Sequence, residues 1–135
     1  MIENDDQLSE IIRNAKTIAV VGASPDPKRD SHRIMEYLVR VGYDAIPINP
    51  NYEKVLGKKC FPTLKSAGKQ IDIVDVFRRS EFVNEVARDA VAADAKALWM
   101  QLGVVNEAAA QYAIDHGMKV VMDRCIMVEH RRLIG

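Results

Sequence analysis

Short apolar runs alternate with amphipathic stretches along this chain. The first run, 17–21, carries no charge and ends at Gly22, which is typical of a strand buried on both faces of a sheet. The stretch that follows puts Ile34, Leu38 and Val41 on one face of a helix. The same alternation continues to the end of the chain. The apolar runs predict five strands, at about 17–22, 44–50, 71–77, 96–101 and 119–123.

Strands that alternate with helices form βαβ units, and their right-handed crossovers require a parallel sheet with helices on both faces. We therefore expect an α/β fold, a three-layer doubly wound parallel sheet of Rossmann-like type. The five strands are expected in the order 3-2-1-4-5. Because the chain has 135 residues and neither a low-complexity linker nor an internal repeat, a single domain over 1–135 is expected. Pro47 lacks a backbone donor, which favours an edge or a bulge for the second strand.

Composition narrows the class of protein. Hydrophobic residues make up 48% and charged residues 28%, as in ordinary globular proteins, and the formal net charge is zero. A zero charge argues against a nucleic-acid binder or a membrane-surface protein. No apolar run approaches the ~20 residues of a membrane span, and the acidic start 1–6 does not have the apolar core of a signal peptide. Cys60 and Cys125 lie far apart, so neither a disulfide framework nor a zinc site is predicted, and we expect a cytoplasmic protein.

A ligand of an open parallel sheet binds beyond the carboxyl ends of the strands, where the strand order reverses. Four predicted strand ends supply the segments 22–24, 49–51, 77–79 and 101–103. Gly22 lets a ligand approach the backbone, and the helix that follows presents an N-terminus on which a phosphate can bind. Of the G-x-G-x-x-G nucleotide fingerprint, only the first glycine is present, so a tight turn without a ligand remains an alternative for this stretch alone.

Positive charge collects near the same strand ends, which favours a ligand with several phosphates, although solvated loop charges would give the same pattern. The cations are Lys28, Arg29, Arg33, Lys54, Lys58, Arg78 and Arg79. NAD would require an acid after the second strand, where Asn49 stands, and NADP would require an arginine, where Lys54 is the nearest cation. Both nicotinamide cofactors are therefore disfavoured. Phe77 and the turn at Pro50 could border an adenine.

Five segments resemble the small CoA-binding proteins of the Rossmann type, which are similar to the CoA-binding domain at the start of the succinyl-CoA synthetase α subunit. They are 20–24, 43–50, 74–78, 99–103 and 121–125, and the resemblance extends from Thr17 to Leu133. It implies that coenzyme A or an acyl-CoA is held by the first loop, the turn after the second strand and the end of the third strand. The synthetase domain often carries a lysine in that turn, where this chain has Asn51, so the cation that meets the 3′-phosphate stays open. The predicted cofactor-binding residues are Gly22, Ala23, Ser24, Arg29, Arg33, Asn49, Pro50, Lys54, Phe77 and Arg78.

No catalytic constellation is recognisable in the sequence. His32 lies beside the first loop without an acid or nucleophile partner, His116 is expected at a helix end, and His130 is expected on a solvated face. Cys125 follows Arg124 and is either small core filler or a thiol made reactive by the arginine.

Two hypotheses from different classes remain. The first is a noncatalytic module for coenzyme A or acyl-CoA that acts as a carrier, sensor or partner subunit. The second is an enzyme, either a nicotinamide-dependent oxidoreductase or one half of a CoA ligase. The absent acid and the absent nucleophile–base pair favour the first. No metal is predicted, and the sequence leaves a protein partner or a homodimer open.

Overall fold

Strands and helices alternate throughout the computed structural model, which describes all residues, Met1–Gly135. The strands are β1 (Thr17–Val21), β2 (Asp44–Ile48), β3 (Lys54–Val55), β4 (Lys58–Lys59), β5 (Ile73–Val76), β6 (Ala97–Met100) and β7 (Lys119–Val121). The helices are α1 (Asp5–Asn14), α2 (Asp30–Arg40), α3 (Val83–Ala92), α4 (Glu107–Asp115) and α5 (Ile126–Leu133), with 3₁₀ turns at Lys65–Ala67 and Ser80–Phe82. All five predicted strands are present, and the α/β class with a parallel sheet is confirmed. None of the five helices combines the length and apolarity that crossing a bilayer requires.

The main sheet has five parallel strands in the spatial order β2-β1-β5-β6-β7, and β3 pairs with β4 in a separate antiparallel hairpin. In chain order, the main strands therefore run 2-1-3-4-5, and the predicted order 3-2-1-4-5 is wrong. The third main strand, β5, pairs with β1 from the side opposite β2.

Pro47 explains why β5 does not extend the sheet beyond β2. The carbonyl of Pro47 accepts a hydrogen bond from the Phe61 N–H at 3.0 Å, on the side of β2 that faces away from β1. In a parallel strand, the N–H and C=O of one residue point to the same side, so the missing donor of Pro47 also belongs to this outer side. A strand paired along this outer side of β2 would lack the hydrogen bond that a backbone N–H at position 47 would otherwise donate. The edge position that Pro47 favoured is thus confirmed, and it excludes the predicted order.

Side chains alternate between two apolar layers along each central strand. Val20 and Trp99 belong to the layer covered by α1, α2 and α5, whereas Ala19 and Leu98 belong to the layer covered by α3 and α4. Trp99 is fully buried, and its indole N–H donates to the Arg124 carbonyl at 2.8 Å. Burial on both faces accounts for the uninterrupted apolar runs in the sequence.

Candidate functional site

An open cavity of about 770 Å³, here called the main cavity, lies at the carboxyl ends of β1, β5 and β6. The loop after β1, the first turn of α2, the turn after β2 and the start of α5 contribute its walls. Most of the predicted cofactor-binding residues line it. They are Gly22, Ser24, Arg29, Arg33, Asn49, Phe77 and Arg78.

The remaining three predicted residues lie elsewhere. Ala23 is fully buried beneath the loop after β1. Pro50 lines a second hollow of about 410 Å³, here called the side cavity, which shares Gly22, Asn49 and Arg78 with the main cavity and adjoins α3. Lys54 is exposed on β3 and lines neither hollow. The β3–β4 hairpin thus carries this cation away from the strand ends.

Gly22 makes the close approach of two strand ends possible. Its φ is +90°, and a Cβ at this position would lie 2.9 Å from the carbonyl oxygen of Phe77. A real Cβ does not approach a backbone oxygen that closely, so any other residue would push the loop after β1 away from the end of β5. The floor of the main cavity therefore depends on this glycine.

We expect Gly22→Ala to lower the free energy of unfolding by about 2 kcal/mol, because an unfavourable φ and a backbone clash act together. Gly117→Ala is the matched control, since Gly117 has a φ of +87° but no atom within 4 Å of the place that an alanine methyl would occupy. That variant should lose only about 1 kcal/mol. Urea denaturation of both variants measures the difference, and equal losses would show that the contact with Phe77 has no effect.

Asn49 connects two loops at the site. Its side-chain Nδ2 donates to the Ala23 carbonyl at 2.9 Å, and its Oδ1 accepts from the Asn51 N–H at 2.9 Å. The amide therefore already has a protein partner on each of its two ends. Asn49 fixes the loop after β1 against the turn after β2, a positioning role that the sequence analysis missed.

The first turn of α2 borders the main cavity without a side-chain cap. The cap position is Arg29, which makes no capping hydrogen bond, and Asp30 and Ser31 lie inside the first turn. Uncapped N–H groups and the positive end of the helix dipole favour an anion at this place. His32 lies in the same turn, and its Nδ1 is 3.0 Å from the Ser24 carbonyl oxygen.

Most cations of the main cavity have no acidic partner. Lys28, Arg29, Arg78 and Arg79 line it without a carboxylate at ion-pair distance, while Arg33 contacts Asp30. The guanidinium of Arg78 stacks over the Phe82 ring, 4.6 Å from its centroid. Arg78 also lines the side cavity and therefore lies where the two hollows meet.

The opposite edge of the sheet carries another hollow, of about 520 Å³. Its lysines are paired with acids, Lys96 with Asp72 at 3.4 Å and Lys119 with Glu10 at 3.9 Å, and Asp94 adds a further negative charge. It therefore has no excess of positive charge, and the carboxyl edge is the better candidate for a phosphorylated ligand. Lys58, which pairs with Asp44 at 3.4 Å at the start of β2, does not line the carboxyl-edge cavities.

The helix α5 adds a wall that the sequence analysis did not predict. Gln101, buried at the end of β6, accepts a hydrogen bond from the Ile126 N–H at 3.0 Å and thereby fixes the start of α5. Half-buried Cys125 and Met127 consequently line the main cavity. The seven-residue spacing of Ile126 and Leu133 is the signal that could have predicted this helix.

His130 is buried, so its predicted place on a solvated face is wrong. Its Nδ1 is 2.6 Å from the hydroxyl oxygen of Tyr37, and its ring packs edge-on against those of Tyr37 and Tyr43. Burial lowers the pKa of the His130 imidazole. His130 lies outside the main cavity, whereas His116 ends α4 as predicted.

Asp75 lies below the floor of the main cavity. It is fully buried on β5, opposite Val20 and Trp99, and neither carboxylate oxygen has a hydrogen-bond partner. Burial raises the pKa of this carboxyl well above its ordinary value. Asp72 instead accepts hydrogen bonds from the N–H groups of Lys16 and Thr17 at the opposite edge, so the two acids form no dyad.

Comparison with known proteins gives the site its context. A family model described as a CoA binding domain matches residues 16–131. The protein YneT of Bacillus subtilis is 44% identical over 124 residues, which cover 92% of each chain. A solved structure from Pyrococcus horikoshii superimposes with a TM-score of 0.96 at 41% identity, covering 98% of this chain and 94% of that one. The dinucleotide-forming acetyl-coenzyme A synthetase 1 of Ca. Korarchaeum cryptofilum matches with a TM-score of 0.73 at 28% identity, over 82% of this chain but only 26% of that one.

Proposed function

The chain belongs to the CoA-binding domain family, and from that premise we propose that it binds coenzyme A, free or as an acyl thioester, at the carboxyl edge of its sheet. The main cavity is the observation that supports this proposal, because a glycine loop, an uncapped helix start and cations without acidic partners lie together in it. Phosphate groups bind at helix N-termini and form charge-assisted hydrogen bonds with arginine. Arg29 and Arg78 are the cations that we assign to the phosphates.

The charged side chains that line the side cavity and the main cavity indicate which end of coenzyme A lies in each. The side cavity is lined by Glu85 and Asp89, which repel phosphates but accept hydrogen bonds from an amino group or from ribose hydroxyls. We therefore assign the adenine ring to the side cavity, next to Pro50, and the ribose 3′-phosphate and the diphosphate to the junction at Arg78. The pantetheine arm then runs through the main cavity towards Gln101 and Cys125.

A noncatalytic role, as carrier, sensor or partner module, fits the groups around the main cavity. Nδ1 of His32 is engaged with a backbone carbonyl, and the Cys125 thiol has no histidine beside it among the lining residues. Asn49 stands where a nicotinamide dinucleotide would need an acid, and its amide is bound within the protein. These observations support binding of coenzyme A over the oxidoreductase alternative.

A thermal-shift titration with coenzyme A, dephospho-CoA, NAD, NADP and ATP tests the proposal. At a concentration 100 times its Kd, coenzyme A should stabilise the fold by about 2.7 kcal/mol, a rise in Tm of roughly 10 °C. NAD, NADP and ATP should produce smaller shifts at equal concentration. Dephospho-CoA measures the contribution of the 3′-phosphate. A larger shift with NAD or NADP would favour the oxidoreductase, and no shift with coenzyme A would refute the proposal.

A further inference from the structure

A third hollow continues the main cavity beyond β6 towards β7. This end groove, of about 410 Å³, shares Leu102 and Cys125 with the main cavity and has Met122 and Val128 among its apolar lining residues. The side cavity, the main cavity and the end groove thus follow one another from β2 towards β7. Because neighbouring strands lie about 4.8 Å apart, the five strands span about 19 Å, room for a long ligand that lies across the strand ends.

The end groove exposes large aliphatic side chains beside a ligand cavity. Leu102 is 70% exposed and Val128 is 51% exposed. Binding of a ligand that removes apolar surface of this kind from water is favourable. Leu102 follows directly from buried Gln101, so the protein holds the start of this apolar surface in a fixed place at the end of β6.

Two of the charged side chains around the end groove form ion pairs within the protein. Arg124 contacts Glu129 at 3.4 Å, and Arg132 contacts the same carboxylate at 2.6 Å. Asp123 Oδ1 accepts a hydrogen bond from the Gly103 N–H at 2.7 Å. Glu3 and Asp123 are both anions without an ion-pair partner. The groove therefore favours an apolar acyl chain and disfavours an acyl chain that ends in a carboxylate.

We infer that the end groove receives the straight aliphatic chain of an acyl-CoA, with the thioester near Leu102 and Cys125. This inference rests on the proposed function, in which the phosphates bind at Arg78 and the pantetheine arm points towards β6. It narrows the ligand class from coenzyme A in general to medium-chain, uncharged acyl thioesters.

Isothermal titration calorimetry with coenzyme A and with acetyl-, butyryl-, hexanoyl- and octanoyl-CoA tests this inference. Each added methylene should tighten binding about twofold, because an open groove recovers about half of the free energy of complete burial. Succinyl-CoA has four acyl carbons, like butyryl-CoA, but ends in a carboxylate in place of the methyl group, so it should bind more weakly than butyryl-CoA.

Substitutions in the groove locate the effect. Met122→Gln combined with Val128→Ser should flatten the chain-length dependence while leaving the affinity for free coenzyme A unchanged, because both residues line the end groove and neither lines the main cavity. Val39→Ser is the matched control, since Val39 is 42% exposed on α2 and does not line the groove.

The outcomes separate the two proposals. No binding of coenzyme A or of any thioester overturns the proposed function. Binding of coenzyme A with no dependence on chain length, or with succinyl-CoA bound as tightly as butyryl-CoA, overturns the acyl inference alone. A chain-length gain that persists in the double variant, whose fold is checked by circular dichroism, overturns the assignment to this groove.

Discussion

Arg78→Ala should weaken the binding of coenzyme A by about 10- to 150-fold, which corresponds to ~1.5–3 kcal/mol for one charge-assisted hydrogen bond. Arg78 lies where the main and side cavities meet, and no carboxylate lies at ion-pair distance from its guanidinium. Its stacking on the Phe82 ring orients the planar group, so a phosphate meets a donor that is already in place. The free energy of unfolding should fall by no more than about 1 kcal/mol, because the side chain forms no ion pair in the fold and the deletion removes only its stacking contact with Phe82.

The affinity is measured by calorimetry at a fixed ionic strength, since salt screens the interaction between the phosphates and the cavity. Arg88→Ala is the matched control, because Arg88 is exposed on α3 and lines neither cavity. Lys54→Ala should also leave the affinity unchanged. If Arg78→Ala binds coenzyme A as tightly as the unaltered protein, Arg78 does not belong to the site. A similar loss in Arg88→Ala would mean that only the net charge matters.

The strands could be predicted because their signal is local. A central parallel strand is buried on both faces, so it stands out as a short apolar run such as 17–21 or 97–100. The order of the strands depends on pairing between segments far apart in the chain, which no local pattern contains. Pro47 was the one residue that carried information about it, since a missing donor favours an edge. Used in that way, it would have excluded the order 3-2-1-4-5.

The same difference between local and long-range signals applies to the residues of the candidate site. Residues directly after a strand, such as Ser24 and Phe77, reach the main cavity because the strand itself delivers them there. Lys54 does not, because a hairpin intervenes, and Cys125 does, because Gln101 fixes the start of a helix beside it. The sequence could place Asp75 on a buried strand. That its carboxyl has no hydrogen-bond partner depends on side chains from three helices, which no local pattern contains.

Asp75 makes the stability of this protein depend on pH. In the unfolded chain, an aspartate loses its proton near pH 3.9. In the native state, burial without a hydrogen-bond partner raises the pKa of Asp75 well above that value, so the native carboxyl keeps its proton over a range in which the unfolded one is ionised. The unfolded state therefore binds fewer protons in this range, and the contribution of Asp75 to the free energy of unfolding falls as the pH rises from about 4 towards the native pKa.

Asp75→Asn should consequently raise the free energy of unfolding at pH 7, because burial raises the pKa of the native carboxyl and asparagine has no proton to lose, and it should have little effect near pH 4. Asp75→Leu should add about 1–3 kcal/mol at both pH values, because it also removes the two unsatisfied buried oxygens. Urea denaturation at both pH values measures these differences, with Asp115→Asn on the exposed face of α4 as the control. An asparagine variant that is less stable than the unaltered protein at pH 7 would mean that the native carboxyl is ionised and has a partner, and the buried acid below the cavity would then need another explanation.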